Sequence, residues 1–357
     1  MGADGGLMRG ALFPWALALA IGAAGGALFA WFNLPLAWMI GAMLFTAAAA
    51  MARLPVRVPA RLRGGMIMVL GIMLGSGFKP EILGRVGEWG ISLSALAAYV
   101  AVCTVAGVFY LRRLVRLDAV TAYFTATPGG LNEMVLAGSA MGGDDRTISL
   151  VHALRVMLVV LVIPFWFQAL GYYDQQNRGP LGPSLASVSV EDAALLAGCA
   201  VGYPIARFLR IPAAQIVGPM LLSAAIHLAG LTAGTPPGVL VAAAQVVVGA
   251  ALGCRFTGIG VERIGRCAVM SLGLTALMLA AAVAASWLLN AATGLGMAGL
   301  ILAFAPGGLA EMSLVALALG TDIAFVSTHH IVRIVLIVTL APGVFLVWRK
   351  WREKVRG

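Results

Sequence analysis

Residues Pro128-Gly129-Gly130-Leu131-Asn132-Glu133-Met134 return almost unchanged as Pro306-Gly307-Gly308-Leu309-Ala310-Glu311-Met312, 178 positions later. Without a gap, the same offset carries Asp144 to Asp322, His152 to His330, Arg155 to Arg333 and Pro164 to Pro342, with 16 identities over the 38 positions from Pro128 to Phe165. Self-similarity at a fixed spacing marks a fold assembled from repeated units. Further upstream, Gly71, Leu74, Gly75 and Phe78 align with Gly249, Leu252, Gly253 and Phe256. After a one-residue slip, Pro35, Gly41, Met43 and Leu44 align with Pro212, Gly218, Met220 and Leu221. The chain therefore reads as a first repeat over 1–171, a polar linker over 172–190 containing Asp174, Gln175, Gln176, Asn177 and Arg178, and a second repeat over 191–357.

Composition says where these repeats live. Of 357 residues, 61% are hydrophobic and 11% charged, against about 25% charged in an average soluble domain. The 45 glycines, with alanine runs such as Ala47 to Ala50 and Ala280 to Ala282, suit helices that approach closely in lipid, where small residues let backbones touch. The expected fold is all-α, a polytopic transmembrane bundle. The net charge of +10 lies in short stretches between apolar segments, so it reads as a topology signal and not as a nucleic-acid surface. Cys103, Cys199, Cys254 and Cys267 form no CxxC pair and lie in or beside apolar segments, which predicts neither disulfides nor a metal site. No cofactor is expected.

Spanning lipid as a helix takes about 20 apolar residues. Six apolar stretches per copy fall near 12–32, 35–51, 64–78, 90–111, 118–142 and 147–171, then 192–207, 212–231, 238–254, 267–290, 296–320 and 323–347. The first, preceded by Arg9, has the look of a cleaved signal peptide, but its counterpart in the second copy argues that it is retained. The fifth stretch of each copy is broken by Pro-Gly-Gly, because proline lacks the N–H and glycine loosens the backbone.

Arginine placement predicts the topology. Arg53, Arg57, Arg61 and Arg63 follow the second stretch, and Arg112, Arg113 and Arg116 the fourth. In the second copy, Arg207 and Arg210 follow the first stretch, Arg255, Arg263 and Arg266 the third, and a basic tail from Arg349 to Arg356 the last. If every stretch crossed, the Arg207 and Arg255 loops would fall outside, against the positive-inside rule. If each broken stretch dips in and returns, each copy has about five spans, the second copy is inverted, and every arginine loop faces the cytoplasm. Thr232 to Pro237 and Ala291 to Gly294 then face outward. Two inverted repeats, each with a re-entrant broken segment and with both termini cytoplasmic, are the expected arrangement.

Inverted repeats with discontinuous helices are the construction of many secondary transporters, because unwound backbone in lipid is tolerated where it lines a cavity or is buried. A helix restarting after Pro128-Gly129-Gly130 or Pro306-Gly307-Gly308 offers N–H groups and a positive dipole end to an anion, although the same sequence also makes a plain tight hairpin. Glu133 and Glu311 follow three residues after the second glycine. Carboxylates at membrane depth pair, face water or carry protons, so proton coupling and an ion pair with Arg155 or Arg333 both stay open. His152 with Arg155, and His330 with Arg333, share one helix face at i, i+3. The histidines suit proton transfer and the arginines suit gripping a carboxylate or phosphate; anchoring at the membrane surface is the other reading for His330 and Arg333. Asp144 and Asp322 read as helix N-caps. Thr127 and Asn132, where the second copy has Ala305 and Ala310, could make the site asymmetric. The candidate substrate residues are thus Thr127, Pro128, Gly129, Gly130, Asn132, Pro306, Gly307, Gly308, Arg155 and Arg333, with Glu133, Glu311, His152 and His330 for protons.

At the paired Pro-Gly-Gly-Leu-x-Glu-Met segments and the His-x-x-Arg pairs that follow, the chain resembles the AbrB family of bacterial membrane proteins, over nearly its whole length. That family carries a duplicated membrane domain and is labelled either a regulator of AbrB type or an ammonia monooxygenase. The resemblance implies an inner-membrane location and transporter-like status with an undefined substrate, the regulatory label reflecting an influence on gene expression.

Oxygenase chemistry would want clustered histidines for copper. The chain has only His152, His227, His329 and His330, with no HxH or HxxxH spacing, so no catalytic residue is expected. No soluble segment is long enough for a DNA-binding domain, so nucleic acid is not an expected partner. The expected partners are membrane lipid, a small-molecule substrate and further copies of the chain. Two functions stay in play: a carrier of a small organic anion coupled to protons, and a non-transporting membrane sensor that influences gene expression indirectly.

Overall fold

The computed structural model describes residues 4–84, 86–172 and 181–356, and contains helices and turns but no strand among them. Asp174 to Arg178 of the expected linker lie outside the described residues. The first half holds α1 (Asp4–Trp31), α2 (Ala37–Met51), α3 (Ala60–Gly75), α4 (Trp89–Arg113), α5 (Ala119–Ala126), α6 (Leu131–Ala140) and α7 (Asp145–Ala169). The second holds α8 (Val190–Gly198), α9 (Gly202–Phe208), α10 (Ala214–Leu228), α11 (Gly238–Gly253), α12 (Val261–Thr293), α13 (Met297–Phe304), α14 (Leu309–Ala318) and α15 (Ile323–Arg356).

Both fifth stretches break at Pro-Gly-Gly, into α5 and α6 and into α13 and α14. A difference appears at 192–207, where α8 and α9 are separated by a tighter turn at Cys199–Val201, while its counterpart α1 runs through. Pro204 supplies the reason: without an N–H it cannot bond the Ala200 carbonyl, and the helix tightens just before it.

Among the described residues, six helices are long and apolar enough to cross a membrane: Phe13–Trp31, Trp89–Arg113, Asp145–Ala169, Gly238–Phe256, Val261–Thr293 and Ile323–Lys350. Shorter apolar helices include Ala37–Met51 and Ala214–Leu228. At 15 residues each they reach about 22 Å, less than the hydrocarbon core of about 30 Å. Both helices start later than the apolar stretches that contain them, 35–51 and 212–231, because each begins abruptly from a left-handed residue, Leu36 (φ 45°) and Ala213 (φ 52°).

Those two residues are one of several matched pairs. Among the left-handed positions, Asn33 matches Arg210, Leu36 matches Ala213 and Arg53 matches Gly230 at an offset of 177. Arg116 matches Gly294 and Gly142 matches Gly320 at an offset of 178. The one-residue slip seen in the sequence is therefore present in the backbone.

The chain forms two compact units, each drawn from both halves. One comprises Met1–Leu83, Val160–Ile264 and Ser313–Ala324; the other comprises Gly84–Val159, Gly265–Met312 and Phe325–Gly357.

In the first unit, α2 packs on α11 and α10 packs on α3. A side chain at Gly71 of α3 would strike the Ile216 carbonyl of α10, and one at Gly249 of α11 would strike the equivalent Met39 carbonyl of α2. Hydroxyls bridge the same places: Ser223 Oγ donates to the Ile72 carbonyl at 2.8 Å and Thr46 Oγ1 approaches the Ala250 carbonyl at 3.4 Å. The second apolar stretch of each copy thus lies against the third apolar stretch of the other. Such close backbone approach maximises dispersion contact where lipid offers no hydrophobic driving force.

In the second unit, Tyr123 Oη donates to the Ala341 carbonyl at 2.9 Å, and the Tyr123, Phe124 and Phe345 rings cluster at 5.1–5.6 Å. Tyr99 Oη reaches the Met278 carbonyl and Ser271 Oγ the Val151 carbonyl, each at 3.2 Å. None of the four cysteines forms a disulfide.

Candidate functional site

The second unit contains both helix breaks, and each is held by an arginine and a histidine from the last helix of its own copy. Arg155 of α7 donates through Nη1 to the Thr127 carbonyl at 3.3 Å and through Nη2 to the Gly129 carbonyl at 3.2 Å. Arg333 of α15 makes the equivalent bonds to the carbonyls of Ala305 and Gly307, both at 2.5 Å. One turn earlier, His152 Nε2 meets the Phe124 carbonyl at 2.8 Å and His330 Nε2 the Leu302 carbonyl at 2.9 Å. The carbonyls freed by Pro-Gly-Gly would otherwise lack helical partners. The fork geometry of guanidinium spans two of them at once.

His330 has a further neighbour, because Arg333 Nη2 lies 2.9 Å from its Nδ1. A guanidinium can only donate, so Nδ1 accepts and the proton sits on Nε2, facing Leu302. His330 is therefore a neutral imidazole, fixed in one tautomer.

These side chains are deep inside. His152 and His330 are fully buried, Arg155 is 2% exposed and Arg333 3%. The Nε of each arginine has no hydrogen-bond partner among the described residues. Both guanidiniums lie within electrostatic reach of Tyr99 and Cys103 on α4. The sequence marks Cys103 only as a thiol with no CxxC partner and gives no sign of Tyr99 beyond their i, i+4 spacing within an apolar helix. Ser92 and His329 form a further polar pair in this unit, joined at 2.9 Å and fully buried.

The carboxylates take an arrangement absent from the sequence expectation. Gly130 is the N-cap of α6 and Glu133 its third residue, and a side chain at Gly130 would collide with Glu133 Oε2. Gly308 stands in the same relation to Glu311 Oε2. Each carboxylate folds back over the start of its own helix, in the manner of the acidic member of a capping box. The positive helix end thus already has a carboxyl group beside it.

Of the remaining candidates, Pro128, Gly129, Pro306 and Gly307 are buried, Gly130 and Gly308 half-buried, and Asn132 exposed. Thr127 is buried and its hydroxyl donates to the Tyr123 carbonyl at 2.8 Å. Asp144 caps α7, accepting from Arg146 N at 3.1 Å and Thr147 Oγ1 at 2.6 Å. Among the described residues, no group of three or more His, Cys, Asp and Glu side chains is placed to hold a metal ion.

Chemically, the arrangement is a pair of buried cations next to interrupted helices, with carboxylates at the helix tips. Comparison with known proteins gives it a lineage. The family described as transition state regulatory protein AbrB matches residues 38–349. A Bacillus subtilis (strain 168) protein named YhjN, described as uncharacterized, is 29% identical over 351 residues, covering 91% of this chain and 90% of its own length. An Escherichia coli (strain K12) protein, named as a candidate regulator AbrB, is 25% identical over 317 residues, covering 87% and 90%. The matched span takes in both Pro-Gly-Gly breaks and both His-x-x-Arg pairs, and the chain belongs to the AbrB family of helical membrane proteins.

Proposed function

We propose that this protein is a secondary transporter of the bacterial inner membrane that moves a small organic anion together with protons. One observation carries the reading: Arg155 and Arg333, both buried, hold equivalent carbonyls of two interrupted helices and keep an unsatisfied Nε. A buried cation is expensive in lipid and marks a ligand or ion path. An entering carboxylate or phosphate would give each Nε an acceptor.

The fold-back of Glu133 and Glu311 supplies the coupling. While ionised, each carboxylate occupies the positive helix end and repels an incoming anion. Protonation removes that charge, so anion binding and proton uptake favour one another, as linkage requires. Protonating His330 at Nδ1 would likewise take away an acceptor of Arg333 and release the guanidinium toward the ligand. His152 is assigned the matching role in the first copy. Thr127 and Asn132 are proposed to distinguish the two halves of the site.

Alternating access needs two-fold related halves, and the reciprocal packing of α2 on α11 and α10 on α3 supports such a relation. The arginine distribution favours an axis in the membrane plane, with about five spans per repeat, re-entrant breaks, and both termini in the cytoplasm. The boundaries 1–171, 172–190 and 191–357 are kept as the repeats and their linker. The proposed partners are lipid, the solute and further copies of the chain, with no nucleic acid, cofactor or catalytic step.

The second reading, a sensor that influences gene expression without moving its ligand, draws on the regulator names of the family and of the Escherichia coli relative. A metabolite-wide comparison of uptake and efflux separates the two, using cells that express the wild type, Glu133→Gln or Glu311→Gln, with membrane insertion checked for each. A solute whose flux requires the wild type and falls in both variants supports the carrier. Equal fluxes across a broad panel, with all three proteins inserted, support the sensor.

A further inference from the structure

Within the first unit, a cavity of about 520 Å³ opens beside the start of α3, lined by Arg57, Arg63 and Arg255 together with Pro14, Cys254 and Thr257. None of its lining residues is acidic. Arg57 and Arg63 come from the first copy and Arg255 from the second. Arg57 is tied down through its backbone N–H to the Pro14 carbonyl at 3.3 Å, and Thr257 Oγ1 bonds the neighbouring Val56 carbonyl at 3.2 Å. Helix α3 starts at Ala60 after Pro59, which gives no side-chain cap, so its first-turn N–H groups and positive dipole end add to the guanidiniums.

Topology alone asks only that arginines stay out of the lipid. It does not ask three of them to converge on one concavity, where like charges repel and the half-buried Arg63 and Arg255 are partly desolvated. An anion with several acceptor oxygens relieves that repulsion, and phosphate matches the guanidinium fork. The volume also suits a small ligand or a headgroup.

We infer that this cavity is a binding site for a phosphate-bearing anion, separate from the paired helix breaks and independent of whether the protein transports anything. On the topology proposed above it lies on the cytoplasmic side, where basic pockets between helices receive anionic lipid headgroups; a soluble phosphate ester presents the same chemistry.

The test uses the full chain purified in neutral detergent at fixed ionic strength, comparing wild type with Arg57→Gln, Arg63→Gln and Arg61→Gln. Arg61 lies on the same helical turn but does not line the cavity. The probes are phosphatidylglycerol or phosphatidylcholine in mixed micelles, read by native mass spectrometry, and glycerol 3-phosphate, read by thermal shift. The expected result is binding of phosphatidylglycerol, glycerol 3-phosphate or both, weakened about tenfold in Arg57→Gln and Arg63→Gln and unchanged in Arg61→Gln. Retention of the lipid alone identifies a headgroup site, and binding of glycerol 3-phosphate undisturbed by the lipid identifies a soluble ligand. Binding no stronger than to phosphatidylcholine, or lost equally in Arg61→Gln, overturns the inference. Exposed Arg57 gives a variant whose folding is not at stake.

Discussion

Arg155 and Arg333, 178 positions apart, grip equivalent pairs of carbonyls, those of Thr127 and Gly129 and those of Ala305 and Gly307. In both copies the arginine reaches back 28 and 26 residues to the break that precedes it. A duplicated contact of this kind makes each guanidinium part of the backbone of an interrupted helix and, through Nε, available to something else.

Lysine keeps the charge but not the fork. Arg155→Lys and Arg333→Lys are expected to insert normally and to lower flux of the transported solute about tenfold or more, since one ammonium cannot bridge two carbonyls and a ligand with fixed geometry. Flux assays on matched membrane amounts check this; wild-type flux in both variants would remove the arginines from the site.

Gly130 and Gly308 leave the space that Glu133 and Glu311 fill. Gly130→Ala is expected to destabilise by about 1–3 kcal/mol, and the penalty should shrink when Glu133→Ala is already present, giving a coupling of at least about 0.5 kcal/mol. Unfolding of the four proteins of the cycle in detergent measures it. An equal penalty in both backgrounds contradicts the fold-back of the carboxylate.

Reciprocal helix packing makes a paired expectation. Gly71→Leu and Gly249→Leu should both lower the melting temperature, because each drives a side chain into a facing backbone carbonyl. Gly65→Leu on the same α3 meets open space and should leave the melting temperature close to wild type.

Inverted copies carry their own signature. In a cysteine-free background, Ala233→Cys and Ala292→Cys are expected to react with a membrane-impermeant thiol reagent added outside, and Arg61→Cys and Arg207→Cys only after permeabilisation. All four positions are exposed. Parallel copies would instead expose the Arg207 position to the outside reagent.

Much of this was legible in the residues. The positions of the helices follow from apolar stretches, and the breaks from Pro-Gly-Gly, because both depend on local chemistry alone. His152 with Arg155 and His330 with Arg333 were legible as shared faces, since i, i+3 spacing is a property of any helix. What those faces touch was not, because the bond from Arg155 to Thr127 depends on how α7 lies against α5. The exact starts of α2 and α10 hide in the left-handed residues Leu36 and Ala213, whose side chains have no preference for that conformation. Tyr99 and Cys103 enter only through the packing of α4, and the return of Glu133 to Gly130 is a rotamer choice that sequence spacing permits but does not require.

The most direct test of proton-coupled anion transport is solute uptake into proteoliposomes under an imposed pH gradient, using the solute that the flux comparison identifies. For the wild type, uptake should follow the gradient and be accompanied by proton entry read with a trapped pH dye, and in Glu133→Gln uptake should no longer respond to the gradient. Uptake by the wild type that is indifferent to the pH gradient, with no proton entry, would contradict the coupling assigned to Glu133 and Glu311.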